Sequence, residues 1–173
     1  HTCALDESGG VHCWGSNSSG QLSVPADLPA AVSVSSGGYH TCALDESGGV
    51  HCWGYDSNGQ SSVPADLPAA ASVSAGRYHT CALDVSGGVH CWGYDDYGQS
   101  SVPADLPAAA SVSSGGYHTC ALDESGGVHC WGYDDYGQSS VPAELPAAVS
   151  VSAGRYHTCA LDESGGVHCW GSN

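Results

Sequence analysis

Apolar and polar positions alternate in short stretches along this chain, and the alternation restarts every 39 residues. At residues 118–132 the order is His-Thr-Cys-Ala-Leu, then Asp-Glu-Ser-Gly-Gly, then Val-His-Cys-Trp-Gly. Two period-two runs around a turn-forming cluster predict a β-hairpin. If Leu122 opposes Val128, then Ala121 opposes His129, Cys120 opposes Cys130 and Thr119 opposes Trp131. Pleating puts Cys120, Leu122, Val128 and Cys130 on one face and Thr119, Ala121, His129 and Trp131 on the other. Both faces are largely apolar, as expected of a small sheet packed between two neighbours. Further along, Gln-Ser-Ser-Val-Pro at 138–142 predicts a third, edge-like strand that Pro142 ends. Ala-Val-Ser-Val-Ser at 148–152 predicts a fourth strand, its small residues suited to a crowded inner position. The Asp-Leu-Pro and Glu-Leu-Pro segments read as turns. The Gly, Pro, Ser and β-branched content disfavours helix throughout.

The fifteen-residue hairpin recurs at residues 1–15, 40–54, 79–93, 118–132 and 157–171, with Val85 in place of Glu as the sole change. A period of this size marks a propeller or solenoid built from one supersecondary unit. The expected organisation is a single tandem array over residues 1–173: a partial repeat 1–30, repeats 31–69, 70–108 and 109–147, and a partial repeat 148–173. The fold expectation is all-β, with four-stranded, propeller-like blades. The two ends duplicate each other, so neither completes the other's blade. An open superhelical array, or an excerpt of a longer repeat chain, is expected rather than a closed ring. The chain begins inside a repeat and without Met, which reads as processing or as a window on a longer polypeptide.

The pattern GxxHTCAL…GxVxCWG followed by xDxxGQ resembles the repeat of the regulator-of-chromosome-condensation-type β-propellers. With the short period and the GQSSVPADL segment, it is similar above all to the secreted propeller-type β-lactamase inhibitor family. The resemblance covers the whole chain and implies blades that, in the family, usually close as a ring of seven. It does not carry nucleotide-exchange or chromatin activity to a chain this acidic and cysteine-rich. It does not carry inhibition either, which depends on variable rim residues.

Two cations, Arg77 and Arg155, stand against 18 Asp and Glu, for a formal charge of −16. Such a polyanion repels nucleic-acid backbones and anionic membranes, and no apolar run is long enough for a membrane helix. Ten cysteines, two per hairpin, point to an oxidising compartment and hence to an extracellular or cell-surface protein. The register predicts hairpin disulfides Cys3–Cys13, Cys42–Cys52, Cys81–Cys91, Cys120–Cys130 and Cys159–Cys169, with zinc binding as the lesser alternative.

Trp14, Trp53, Trp92, Trp131 and Trp170 are expected to pack between blades; a carbohydrate-stacking site helped by Tyr97 and Tyr136 is the sharper alternative. Asn17-Ser18-Ser19 is a possible glycosylation acceptor. Arg77 and Arg155 recur in the same phase of an alternation between Ser-Ser-Gly-Gly and Ser-Ala-Gly-Arg, so they are expected to bridge acidic loops of adjacent repeats. The histidines read as structural, without a nucleophile placed for a triad. Their protonation would move the formal charge toward −6, so mild acid is expected to tighten assembly. The Asp-Asp-Tyr-Gly turns supply too few oxygens for calcium and read as turns. No catalytic residue, metal or cofactor is expected. The sequence therefore reads as a non-enzymatic structural or scaffolding protein, able to form fibres by blade-on-blade stacking. The alternative is a secreted or surface binding propeller acting as an enzyme inhibitor, adhesin or lectin.

Overall fold

A computed structural model describes residues 1–172 as fourteen β-strands with no helix among the described residues. None is therefore long and apolar enough to cross a membrane as a helix. The first module holds β1 (Thr2–Leu5) and β2 (Val11–Trp14). The second holds β3 (Ala31–Ser36), β4 (His40–Asp45) and β5 (Val50–Gly54). The third holds β6 (Ala70–Ala75), β7 (His79–Asp84) and β8 (Val89–Gly93). The fourth holds β9 (Ala109–Ser114), β10 (His118–Asp123) and β11 (Val128–Gly132), and the fifth β12 (Ala148–Ala153), β13 (His157–Asp162) and β14 (Val167–Gly171). Each later module is a three-stranded antiparallel sheet with the His-Thr-Cys-Ala-Leu strand in the middle.

The hairpin register is the one read from the sequence: Thr119 opposes Trp131, Cys120 opposes Cys130, Ala121 opposes His129 and Leu122 opposes Val128. The Ala-Val-Ser-Val-Ser strand precedes the hairpin and pairs with its first strand, Val151 opposite Ala160, with a bulge between Ala148 and Ser150. The expected fourth strand per blade is not formed. In the Gln-Ser-Ser-Val-Pro segment, Ser139 N–H and Ser140 N–H both donate to Asp134 Oδ1 (2.8 and 3.0 Å). Val141 N–H turns back to Ser139 O, and Pro142 has no N–H to offer. The donors that a strand would present to a neighbour are spent locally, so the segment is a turn.

The apolar cores lie between modules rather than within them. In one joint Leu83 packs with Ala109, Ala121 and Trp131, and Val89, Cys91, Val102 and Leu106 close around them. The same set recurs at the other three joints. Val102 and Leu106 come from the Ser-Val-Pro-Ala-Asp-Leu-Pro turn, so that turn works as a plug at the edge of the joint. The inner strands are tied as well, since Ser35 Oγ accepts from Ala75 N–H (3.0 Å) and Ser74 Oγ from Ser114 N–H (2.9 Å). Substantial packing between sheets runs from each module to the next in sequence, giving an open arc.

Cys3–Cys13, Cys42–Cys52, Cys81–Cys91, Cys120–Cys130 and Cys159–Cys169 are bonded, each within its own hairpin, with Cα atoms 4.1 Å apart. Each closes a short loop and restrains the unfolded chain by about 2–3 kcal/mol. Intact mass measured without reduction should show ten hydrogens missing and no alkylatable thiol, and reduction should lower the unfolding midpoint. Free thiols in the native protein would contradict this pairing.

Candidate functional site

Two features mark the joints, a buried polar one in all four and an open aromatic one from the second module onward. The buried one begins at a glutamine that the loop after each hairpin tucks beneath the next module. Gln99 is fully buried, and its side-chain Oε1 accepts from Tyr97 N–H (3.1 Å), which fixes the loop. Its backbone carbonyl then receives two donors from the following module, Thr119 Oγ1–H at 2.8 Å and Trp131 Nε1–H at 3.1 Å. Thr119 Oγ1 has given its one proton to Gln99, so it accepts from His79 Nε2–H of the preceding hairpin (2.9 Å). The relay His79–Thr119–Gln99–Trp131 thus stitches two modules through a dry joint. It repeats as His40–Thr80–Gln60–Trp92.

Burial pushes the imidazoles down, to about 4 for His40 and His118 and about 3 for His79. Protonation would add an N–H at Nδ1, which is buried and has no hydrogen-bond partner among the described residues. The expectation that mild acid charges all ten histidines is therefore corrected: three of them are kept neutral by the fold. Gly93, at φ 105°, makes the close approach possible, because a Cβ there would lie 3.0 Å from Gln60 Cβ of the preceding module as well as 2.8 Å from Tyr78 O of its own.

The second histidine of each hairpin serves the turn. His129 Nε2 meets Asp123 Oδ2 at 2.7 Å, while Asp123 Oδ1 accepts Ser125 N–H, Ser125 Oγ–H and Gly127 N–H at 2.6–2.9 Å. The Ser125 hydroxyl, then His129, hold the Asp123 carboxyl well below the usual carboxylate range. The serine hydroxyl points at the carboxylate and not at the imidazole, so Ser, His and Asp form a closed turn clasp rather than a nucleophile-and-base pair. In the Asp-Asp-Tyr-Gly turn, the Asp95 oxygens take Ser100 N–H, Ser101 N–H and Ser101 Oγ–H. Asn17 fills the Asp95 position in the first module, with Oδ1 accepting from Leu22 N–H (2.9 Å) and the residue exposed.

The open feature is a tyrosine face. All nine tyrosines (Tyr39, Tyr55, Tyr78, Tyr94, Tyr97, Tyr117, Tyr133, Tyr136 and Tyr156) join one network of ring pairs with centroids 4.8–6.5 Å apart. Arg77 stands 5.9, 5.2 and 5.5 Å from the rings of Tyr39, Tyr78 and Tyr117, which belong to three successive modules. Arg155 stands 5.0 Å from Tyr156. The arginines do not bridge acidic loops: among the described residues the ion pairs are all His–Asp. Arg77 instead spans repeats through aromatic rings, and Arg155 packs on Tyr156 of its own module, because at this edge tyrosine and not carboxylate flanks them. Behind the tyrosines a groove of 490 Å³ runs past Gly37, Gly76, Gly115 and Gly154.

Trp53, Trp92 and Trp131 are each 8% exposed and sit in the joints, and Trp170 is partly buried in the last one. Trp14, in the first module, is 55% exposed. The sequence reading missed both the relay and the tyrosine face. The fixed Thr and Gln of each repeat were signals for the first. For the second, the signal was that tyrosine occurs only before His, after Gly, or in the Asp-Asp-Tyr-Gly turn, positions that the 39-residue period brings to one edge.

Residues 1–21, 31–60, 70–99, 109–138 and 148–173 match the regulator of chromosome condensation (RCC1) repeat, and the chain belongs to that family. Among solved structures, it is similar to the ectodomain of the Physcomitrella patens receptor kinase CR4 (30% identity, TM-score 0.82) over 98% of this chain and 48% of that one. It is also similar to the CRINKLY WD40 ectodomain of the Arabidopsis thaliana receptor kinase ACR4 (30%, TM-score 0.78), over 98% of this chain and 62% of that one. Prp20p from Saccharomyces cerevisiae matches in fold at 20% identity and TM-score 0.84, over 98% of this chain and 55% of Prp20p. The chain thus spans between about half and three fifths of these proteins. No curated protein sequence matches it.

Thr119→Val should cost about 1–3 kcal/mol, because it leaves the His79 N–H unpaired and takes one donor from Gln99; denaturant unfolding reads the loss, and an unchanged midpoint would dismiss the relay. The pH dependence has a definite sign. Above pH 6.5 the buried imidazoles are neutral folded and unfolded, and the relay contributes fully. As pH falls toward about 4, the unfolded chain takes up protons that the fold excludes. Stability should then fall by about 1.4 kcal/mol per pH unit for each such histidine. Unfolding at pH 7 and pH 5 measures it, and equal or greater stability at pH 5 would contradict the assignment.

Proposed function

We propose that this chain is an extracellular, non-catalytic scaffold whose identical modules extend by face-to-face stacking. The observation that carries the reading is that every joint uses the same pair of faces, Leu83, Val89 and Cys91 against Ala121 and Trp131, with the same relay beneath. A surface pair that repeats without variation serves propagation better than recognition of one particular partner. Disulfides in every hairpin, no free cysteine among the described residues, and likeness to two receptor ectodomains support an oxidising, extracellular setting. The histidine, serine and aspartate of each repeat are spent on one turn, which supports a role without catalysis. On this reading partners are further copies of the chain, with glycans at Asn17 as an added decoration, and neither nucleic acid nor a membrane interior.

A second reading, a secreted or surface binding propeller, is favoured by one observation, the tyrosine face. Aromatic rings held on a rigid edge offer contact area at low entropic cost to a protein or carbohydrate. The fold's likeness to propeller arcs adds support.

Sedimentation and negative-stain micrographs of the concentrated protein separate the two. The scaffold reading expects mass to rise with concentration and end-to-end particles of one width. Monomers at every concentration would refute it.

A further inference from the structure

Neither the relay nor the scaffold reading uses the tyrosine face, and its chemistry points elsewhere. The chain contains no Met, and no described cysteine is free. The side chains that usually take up oxidising equivalents first are therefore absent or already oxidised. Trp and Tyr remain. Three of the five tryptophans lie buried in joints at 8% exposure, whereas Tyr97 and Tyr136 are 48% and 53% exposed. Nine phenols in one continuous network give an electron vacancy many neighbouring rings to occupy. The shortest ring separation in it, 4.8 Å, is between Tyr97 and Tyr133. Tyr97 stands on the loop after β8 and Tyr133 on the loop after β11, so the pair straddles the joint between the third and fourth modules.

We infer that Tyr97 and Tyr133 are a built site for oxidative phenol coupling, forming a dityrosine bond across a module joint when a peroxidase supplies hydrogen peroxide as oxidant. Each phenol gives up one electron and its hydroxyl proton, leaving two phenoxyl radicals. Their ortho carbons join in one C–C bond, and the two ring hydrogens so displaced move to the phenolic oxygens. The two electrons and two protons released reduce one hydrogen peroxide to two waters. The protein loses two hydrogens and nothing else.

Ring separation selects this pair, and charge weighs against coupling at the tyrosines beside the arginines. Arg77 lies against Tyr39, Tyr78 and Tyr117, and Arg155 against Tyr156, where a cation opposes removal of an electron. The Asp135 side chain beside Tyr133 pushes that phenol's pKa up to about 12 and supplies a carboxylate to receive the proton as the electron leaves. The product also adds what the disulfides do not. All five disulfides close within single hairpins, at a sequence separation of 10. Covalent linkage between modules would come from tyrosine. The inference depends on the geometry of one chain and stands whether or not copies stack.

The test treats the full chain, dilute, with a haem peroxidase and hydrogen peroxide. Dityrosine fluorescence should rise while the protein keeps monomer mass less two hydrogens, and peptide mapping should join Tyr97 to Tyr133. Tyr97→Phe, which keeps the ring and the fold, should lose that joined peptide, whereas Tyr55→Phe should retain it. Unfolding the chain before oxidation should abolish the intramolecular product. Cross-links only between molecules, oxidation confined to Trp14, or a joined peptide unchanged in Tyr97→Phe would each overturn the proposal.

Discussion

One backbone carbonyl per joint, that of a buried glutamine, accepts hydrogen bonds from both a threonine and a tryptophan of the next module. The rest of the architecture depends on this. A small three-stranded sheet has too little interior to bury its own apolar surface, so each must borrow a core from its neighbour. Leu, Val and disulfide sulfur on one face meet Ala and Trp on the next, and dispersion and burial supply the attraction. That attraction is non-directional and would tolerate sliding. The glutamine carbonyl, the threonine hydroxyl and the histidine above it fix one register, because any slip leaves buried donors unpaired.

The same economy explains why the repeat varies so little. His79 must be neutral, Thr119 must carry a hydroxyl, and Gly93 must lack a side chain for the modules to close. Changing one member leaves the others buried and unsatisfied. The turn residues are similarly committed, with Asp123 gathering Ser125, Gly127 and His129 into a clasp at the outer end of the hairpin. What remains unconstrained is the rim, and there the chain places tyrosine, aspartate and its two arginines. Recognition of any ligand is therefore to be sought on that rim.

Much of this was legible in the residues. Hairpin register, cysteine pairing and inter-module packing of Trp53, Trp92 and Trp131 follow from period-two alternation and the constant spacing of the two cysteines. Gln-Ser-Ser-Val-Pro was misleading because its alternation suits a strand, while Asp134, four residues before it, captures the amides that a strand needs. The arginines were misleading because charge balance names carboxylates as partners, and only the fold reveals that Tyr39, Tyr78 and Tyr117 stand closer. The relay could not be seen at all along the chain. Its members lie 20 to 40 residues apart, and they meet only because a 39-residue period advances each module by one sheet.

If the joint is the unit of stability, then free energy should accumulate joint by joint. The direct measurement is equilibrium unfolding of chains with two, three, four and five modules under one set of conditions. Nearly equal increments for each added 39-residue module, all of them lost together when the repeated threonines are replaced by valine, are what this account predicts. Stability independent of module number, or increments that survive the loss of every threonine hydroxyl, would contradict it.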